Sequence, residues 1–222
     1  MDVEDYNGLE VLKTIDRAVF STKPNSSVLS SVLNSKAEDK ENETYKYRYE
    51  FTRIWGRNNN LLCFIMFNPS ITDNVIIDKT TNQCSTIAKN WGYDGIALYN
   101  LYAFRTSQAS FVEGQLQTND KHKIAEMVGP KNQITLDRMI QSDKYDKIIC
   151  AWGNHPQKNH SHIDDFDKRS LNTIQRISKE KLLVLGVTNR QQPNHPRRVP
   201  KSITKNDAEK LTQHYIEEIK KS

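Results

Sequence analysis

Apolar and polar positions change period several times along the chain, and each change predicts an element. Residues 8–20 (G-L-E-V-L-K-T-I-D-R-A-V-F) have mixed apolar spacing and predict a short helix. Polar and charged residues then dominate to about residue 44, as in a linker or flexible loop. From Tyr45, Y-K-Y-R-Y-E-F-T-R-I-W alternates aromatic or apolar residues with charged ones, the period of a half-buried strand. G-R-N-N-N supplies a turn, and L-L-C-F-I-M-F follows with no polar face, as a strand covered on both sides has. Together these two runs read as a hairpin leading into a sheet.

Beyond them, helix-like and strand-like patterns alternate. Cys84, Ile87, Ala88 and Trp91 recur at spacings of three and four, predicting a helix over 79–91 that stops at Gly92. G-I-A-L-Y-N-L-Y-A-F reads as a second central strand ending before Arg105. A helix is predicted over 131–142 with Ile134, Met139 and Ile140 inward, then a strand in K-I-I-C-A-W-G, a helix over 164–179 and a strand in K-L-L-V-L-G-V. An amphipathic helix closes the chain. Strands alternating with helices imply a three-layer α/β sandwich around a mainly parallel four-stranded sheet, with the earlier hairpin strand added. The expected organisation is an N-terminal extension over 1–44 and one α/β domain over 45–222, a size that buries a real core.

In such a sheet all four strand ends lie on one edge, where α/β folds carry their chemistry. They bring Asn68-Pro69-Ser70, Asn100, Trp152-Gly153-Asn154-His155 and His195-Pro196 there. Asn-Pro alone is an ordinary turn opener, but a turn reading explains none of the other three loops. Tyr102, Phe104 and Trp91 read as core, and Trp152 and His155 as scaffold.

Composition narrows the classes. Charged residues make up 27% of the 222-residue chain, and the mean hydropathy is −0.75. No apolar run has the length of a membrane span, and the first twenty residues lack a signal-peptide pattern. A cytoplasmic monomer without a membrane partner is expected. The net charge is +5, and the basic residues cluster. Between Gly186 and Lys205 lie Arg190, Arg197, Arg198, Lys201 and Lys205 with no acid, as in a segment that contacts phosphates. Cys63, Cys84 and Cys150 follow no metal spacing, so neither a disulfide nor an iron–sulfur cluster is expected.

The four loop motifs together resemble the uracil-DNA glycosylase superfamily, through a bacterial and phage domain family of unknown function with an Asn-Pro-Ser first motif. The similarity spans roughly residues 45–200. F-N-P-S resembles the motif whose Asp or Asn positions the attacking water. G-I-A-L-Y-N-L-Y is similar to the strand whose terminal Asn reads the uracil edge. A-W-G-N-H-P-Q-K-N resembles W-G-S-H-A-Q-K-K, and N-H-P-R-R-V resembles H-P-S-P-L, whose His stabilises the uracil anion and whose loop wedges into the duplex. The resemblance implies catalytic roles for Asn68 and His195, and base contacts from Pro69, Ser70 and Asn100. It implies DNA contacts from Arg190, Arg197, Arg198 and Lys201, with Val199 at the wedging position. No metal or other cofactor is implied. Two partner classes follow: DNA, favouring single strands, and the acidic DNA-mimicking proteins that inhibit the superfamily.

The sequence also departs from that pattern. Ser70 stands where the uracil-specific branch has the bulky Tyr that excludes thymine, which loosens selection against a 5-substituent. Asn68 is an amide and orients water more than it deprotonates it. Loss of general-base help costs ~10²–10⁴-fold, so slower chemistry is expected than with Asp there. A second reading is therefore a weak or inactive glycosylase-fold module that binds DNA or a partner protein. A third is a metal nuclease using His155, His160, His162, Asp164 and Asp165 as ligands, a stretch the Trp-Gly-Asn-His match accounts for otherwise.

Overall fold

The computed structural model describes residues 46–58, 60–70, 79–154 and 164–220, together with the backbone of three N-terminal strands. Those strands are β1 (Val3–Tyr6), β2 (Leu9–Leu12) and β3 (Ile15–Phe20). The helix predicted over 8–20 is therefore corrected to strand. Val11, Thr14, Ile15 and Val19 are β-branched and favour extended backbone, and β3 finds an antiparallel partner in β4 (Arg48–Ile54).

The body of the sheet has five strands. In chain order they are β4, β5 (Leu61–Met66), β6 (Gly95–Asn100), β7 (Ile148–Cys150) and β8 (Leu182–Val184). In space they lie β4-β6-β5-β7-β8, with β3 outside β4. The last four are parallel to one another and β4 is antiparallel to β6. The expected count of four thus holds for the parallel strands only. The predicted hairpin between β4 and β5 does not form. Both flanks of β5 are taken by parallel strands, β6 and β7, so β4 passes over it to the far side of β6. A strand apolar in every position is most stable inside the sheet, and the alternating β4 suits a place nearer the edge.

The all-apolar run is explained by two layers of helices. Leu61, Cys63, Ile65 and Phe67 enter one core cluster, while Leu62, Phe64 and Met66 enter the other. Helix α1 (Lys79–Asn90) covers the second face with Cys84, Ile87 and Ala88. Helices α2 (Ala109–Leu116), α3 (Lys121–Val128), α4 (Asn132–Gln141) and α5 (Asp164–Arg176) cover the first. Helix α6 (Lys205–Ile219) packs on β8 and starts in a capping box between Thr204 and Asp207. In α4 the inward residues are Leu136, Met139 and Ile140; Ile134, predicted inward, is 60% exposed. The three cysteines are buried and reduced.

One buried carboxyl predicts a pH-dependent stability. Glu113 lies on the inward side of α2, and its Oε1 has no hydrogen-bond partner among the described residues. Burial pushes its carboxyl up from 4.5 to about 7. Below pH 4.5 folded and unfolded chains both hold the proton, and no penalty arises. Between pH 4.5 and 7 the unfolded chain releases it and the folded chain keeps it, so stability falls as pH rises and then levels off. The loss is on the order of 3 kcal/mol. Glu113→Gln cannot ionise and should flatten this slope. Urea unfolding at pH 4.5 and pH 8 checks it, and an equal slope in both proteins would exclude Glu113 as the cause.

Candidate functional site

The chain runs from β5 through α1 to β6 on one side, then crosses back through α2 to α4 to reach β7 on the other. That switch in direction falls between β5 and β7, and the carboxyl ends of the strands at such a point are where open parallel sheets usually form a ligand crevice. Register fixes what lines it. Met66 lies opposite Asn100, Ile65 opposite Cys150, and Cys150 opposite Val184. Asn68 and Trp152 therefore emerge two residues beyond paired positions on neighbouring strands, with Asn100 at the end of the strand alongside.

Asn68 is clamped. Its Nδ2 donates to the Thr106 carbonyl at 3.0 Å and to the Pro69 carbonyl at 3.2 Å. Both partners only accept, which sets the amide's orientation and turns Oδ1 the other way as an acceptor. The Thr106 amide returns a bond to the Pro69 carbonyl at 3.0 Å. Pro69 is buried within this clasp and Ser70 follows half-buried.

Asn100 is 2% exposed, and its Oδ1 is buried with no donor among the described residues. Its neighbours in the register place it on the α1 side of the sheet, beside Met66. Its backbone carbonyl accepts from Asn132 Nδ2 at 3.0 Å, and the Leu101 carbonyl accepts from the same nitrogen at 2.9 Å. Asn132 is fully buried at the start of α4, and its Oδ1 also lacks a partner among the described residues. An orphaned buried acceptor costs ~1–3 kcal/mol unless water or a ligand supplies a donor.

His195 is brought in by a strapped loop. Trp152 Nε1 donates to Gln192 Oε1 at 2.9 Å, and the Gly153 amide to the Pro193 carbonyl at 2.9 Å. Thr188 Oγ1 donates to Asn154 Oδ1 at 2.6 Å, and Asn154 Nδ2 to Asn189 Oδ1 at 3.3 Å. Gly153 has φ +73°, and a Cβ there would sit 3.0 Å from His195 Cβ. Only glycine combines that conformation with so close an approach. His195 caps a short 3-10 turn, Pro196–Arg198, with Nδ1 accepting from the Arg197 amide at 3.3 Å. The acceptor role leaves the proton of the neutral ring on Nε2.

The basic segment lies beside this turn. Arg190, Arg197, Arg198 and Lys201 are all exposed. Helix α1 straps the chain beneath them. Gln83 Nε2 donates to the Val199 carbonyl, Asn90 Nδ2 to that of Lys201 and Trp91 Nε1 to that of Ile203, each at 2.9 Å. Val199 is corrected as a wedge. It is 8% exposed and packs in the core under α1, whereas a wedge must stand clear of the surface. Phe67, beside Asn68, is equally enclosed, packed against Tyr102 and Phe166.

Of the metal-nuclease residues, His155, His160, His162 and the Asp164 side chain lie outside the described residues. Asp165 Oδ2 accepts from Tyr102 Oη at 2.8 Å and pairs with Arg169. Among the described residues no group of three or more His, Cys, Asp or Glu side chains is arranged to hold a metal ion, and no helix is long and apolar enough to cross a membrane. Sequence reasoning missed Asn132 and Glu113. Each is a polar residue in a helical run, and nothing in the local pattern marks it as buried.

No curated protein and no solved structure matches the chain. Residues 48–197 do match one family, in a stretch that opens with β4 and closes on the turn after His195, so every loop of the crevice falls inside it. The chain belongs to the DUF1643 family, whose description is a protein of unknown function.

Proposed function

We propose that the protein hydrolyses the N-glycosidic bond of uracil, or of a related modified pyrimidine, in DNA. The observation that carries this reading is the buried Oδ1 of Asn100, without a donor among the described residues, at a parallel-strand end, with Asn68 after the adjacent β5 and His195 on the loop that follows β8 and is tied to the end of β7. It joins the motif resemblance to the uracil-DNA glycosylase superfamily. A base turned out of its stack offers its Watson–Crick edge. Uracil N3–H supplies the donor that Oδ1 lacks, and the Asn100 amide nitrogen can return a bond to O4. Cytosine has an acceptor at N3 and a donor at C4, which leaves both partners unpaired at ~1–3 kcal/mol each.

In the reaction the water oxygen bonds to C1′ and the C1′–N1 electrons leave with the base. The proton released by the water ends on the departing pyrimidine through solvent. Asn68 Oδ1, held outward by its two carbonyl partners, orients that water. His195 Nε2–H donates to O2, where negative charge develops, and is most effective preorganised in a site that excludes water. The exposed Arg190, Arg197, Arg198 and Lys201 take the flanking phosphates. Such contacts make binding salt-sensitive, and an acidic DNA-mimicking inhibitor would meet the same residues. The alternative, a binding module without catalysis, draws on Ser70, which leaves the base less tightly enclosed than a Tyr would.

A base-release assay tests the reading. An end-labelled single strand carrying one deoxyuridine is incubated with protein from a host lacking its own uracil glycosylase, with chelator present, then treated with alkali. Cleavage at the uracil is expected, reduced roughly tenfold to a hundredfold by Asn100→Ala. An uncut strand, or cutting that Asn100→Ala leaves untouched, would sink the proposal and put the binding module in front.

A further inference from the structure

The flank of the crevice opposite His195 carries a row of aromatic rings. Phe111 of α2 stacks on Phe104 with centroids 5.5 Å apart and planes at 27°. Phe104 meets Tyr47 edge-on at 6.3 Å, and Tyr47 stacks on Tyr49 at 6.1 Å. Lys46 Nζ stands 5.7 Å from the Tyr47 ring and 5.9 Å from the Phe104 ring, paired with Glu126 at 2.6 Å. The row ends in an open ring. Phe111 is 44% exposed although its ring stacks on Phe104.

A single exposed Phe would need no explanation; the position of this one does. Two residues beyond Phe104, Thr106 closes the clasp on Asn68 and Pro69. The row therefore starts two residues from the clasp that holds Asn68. Strand order places it on the β4–β6 side, while His195, Arg197 and Arg198 follow β8. Three strand spacings, about 15 Å, separate β6 from β8. One flank presents cations to a phosphate backbone, and the other presents an aromatic face.

We propose that Phe111, backed by Phe104, stacks a base of the same strand that delivers another to Asn100, and that single-stranded DNA is the preferred form because of it. The proposal rests on the DNA reading above. In a duplex both faces of a base are covered by its neighbours, so only an unpaired strand can lay a base on Phe111. Stacking of this kind tolerates any base and shows as a loss of affinity on truncation to alanine. The cationic flank makes no such distinction, because both forms carry phosphates.

The test is fluorescence anisotropy at one fixed low salt concentration, with a labelled short oligothymidylate alone and annealed to oligoadenylate. Neither contains uracil. The wild-type protein should bind the single strand more tightly. Phe111→Ala should weaken single-strand binding roughly tenfold and change duplex binding by less than about twofold, and Phe111→Trp should restore it. Phe111 is exposed, so thermal melting of both variants should match the parent and show that they fold. Three results each overturn the proposal: no single-strand preference in the parent, no effect of Phe111→Ala, or an equal loss on both forms. Base release plays no part in the measurement. Binding with this pattern and no release of uracil would remove the glycosylase reading and leave the stacking surface standing.

Discussion

His195→Ala should slow uracil release about a hundredfold to a thousandfold in a single-turnover assay, with far less effect on folding. The size follows from the role assigned to the ring. Removing one preorganised donor at a developing anion typically costs 10²–10³-fold in rate. The ring is preorganised here by two independent contacts: the Arg197 amide fixes its tautomer, and Gly153 lets it lie against the end of β7. The structural loss is the cap of a three-residue turn, about 1 kcal/mol, or a melting shift of about 2–4 °C for a chain of this size. Release that stays within tenfold of the parent would remove His195 from the chemistry.

Gly95→Ala should give the largest stability loss among single methyl additions to the sheet. Gly95 opens β6 between two strands, paired with Ile54 on one side and Leu61 on the other. A Cβ there would sit 2.5 Å from Leu61 Cδ2, and closer still to the Arg53 carbonyl oxygen. The leucine methyl can rotate, but the carbonyl belongs to the backbone of β4 and moves only with the strand. Overpacking in a well-filled core costs 1–3 kcal/mol and sometimes more. About 3 kcal/mol is expected, a fall in melting temperature of about 6–12 °C. Gly92 is the control, with φ +80° and nothing within 4 Å of its would-be Cβ. Alanine there adds backbone strain without a collision and should cost ~1 kcal/mol. Equal melting temperatures for the two variants would show that β4 yields.

How legible the fold was in the sequence differs by element, and for physical reasons. The four parallel strands announce themselves because a strand covered on both faces must be apolar at every position, as Leu61–Met66 is. Their ends, and so the shared edge of Asn68, Asn100 and His195, follow from strand and helix alternation alone. The partner of β4 was not legible. Its alternating pattern says that one face is buried but not which neighbour it joins, and the short G-R-N-N-N connection suggests the wrong one. Strand β3 failed for a related cause, since pairing to the distant β4 leaves no mark on local spacing, whereas β1 and β2 pair with each other and the Asn-Gly at 7–8 is a local hairpin signal that the mixed apolar spacing obscured. Asn132 and Glu113 stayed hidden because a polar side chain on a helix is buried or exposed according to what packs over it. The motif resemblance singled out Val199 for its place after His195, whereas α1 decides that it faces inward.

The pairing of β4 with β6 rather than β5 also has a consequence during synthesis. As the nascent chain leaves the ribosome, β4 emerges after its partner β3, but β5 follows before either of its own neighbours has been made. The run Leu61–Met66 must wait for Gly95–Asn100 on one side and Ile148–Cys150 on the other. Until then an uncharged, strongly apolar segment with two open edges is in water, the composition that drives chains to associate with one another. Translation that pauses between Met66 and Gly95 leaves it uncovered longest, so yield in a heterologous host should depend on the speed of that stretch and on chaperones that shield extended apolar segments.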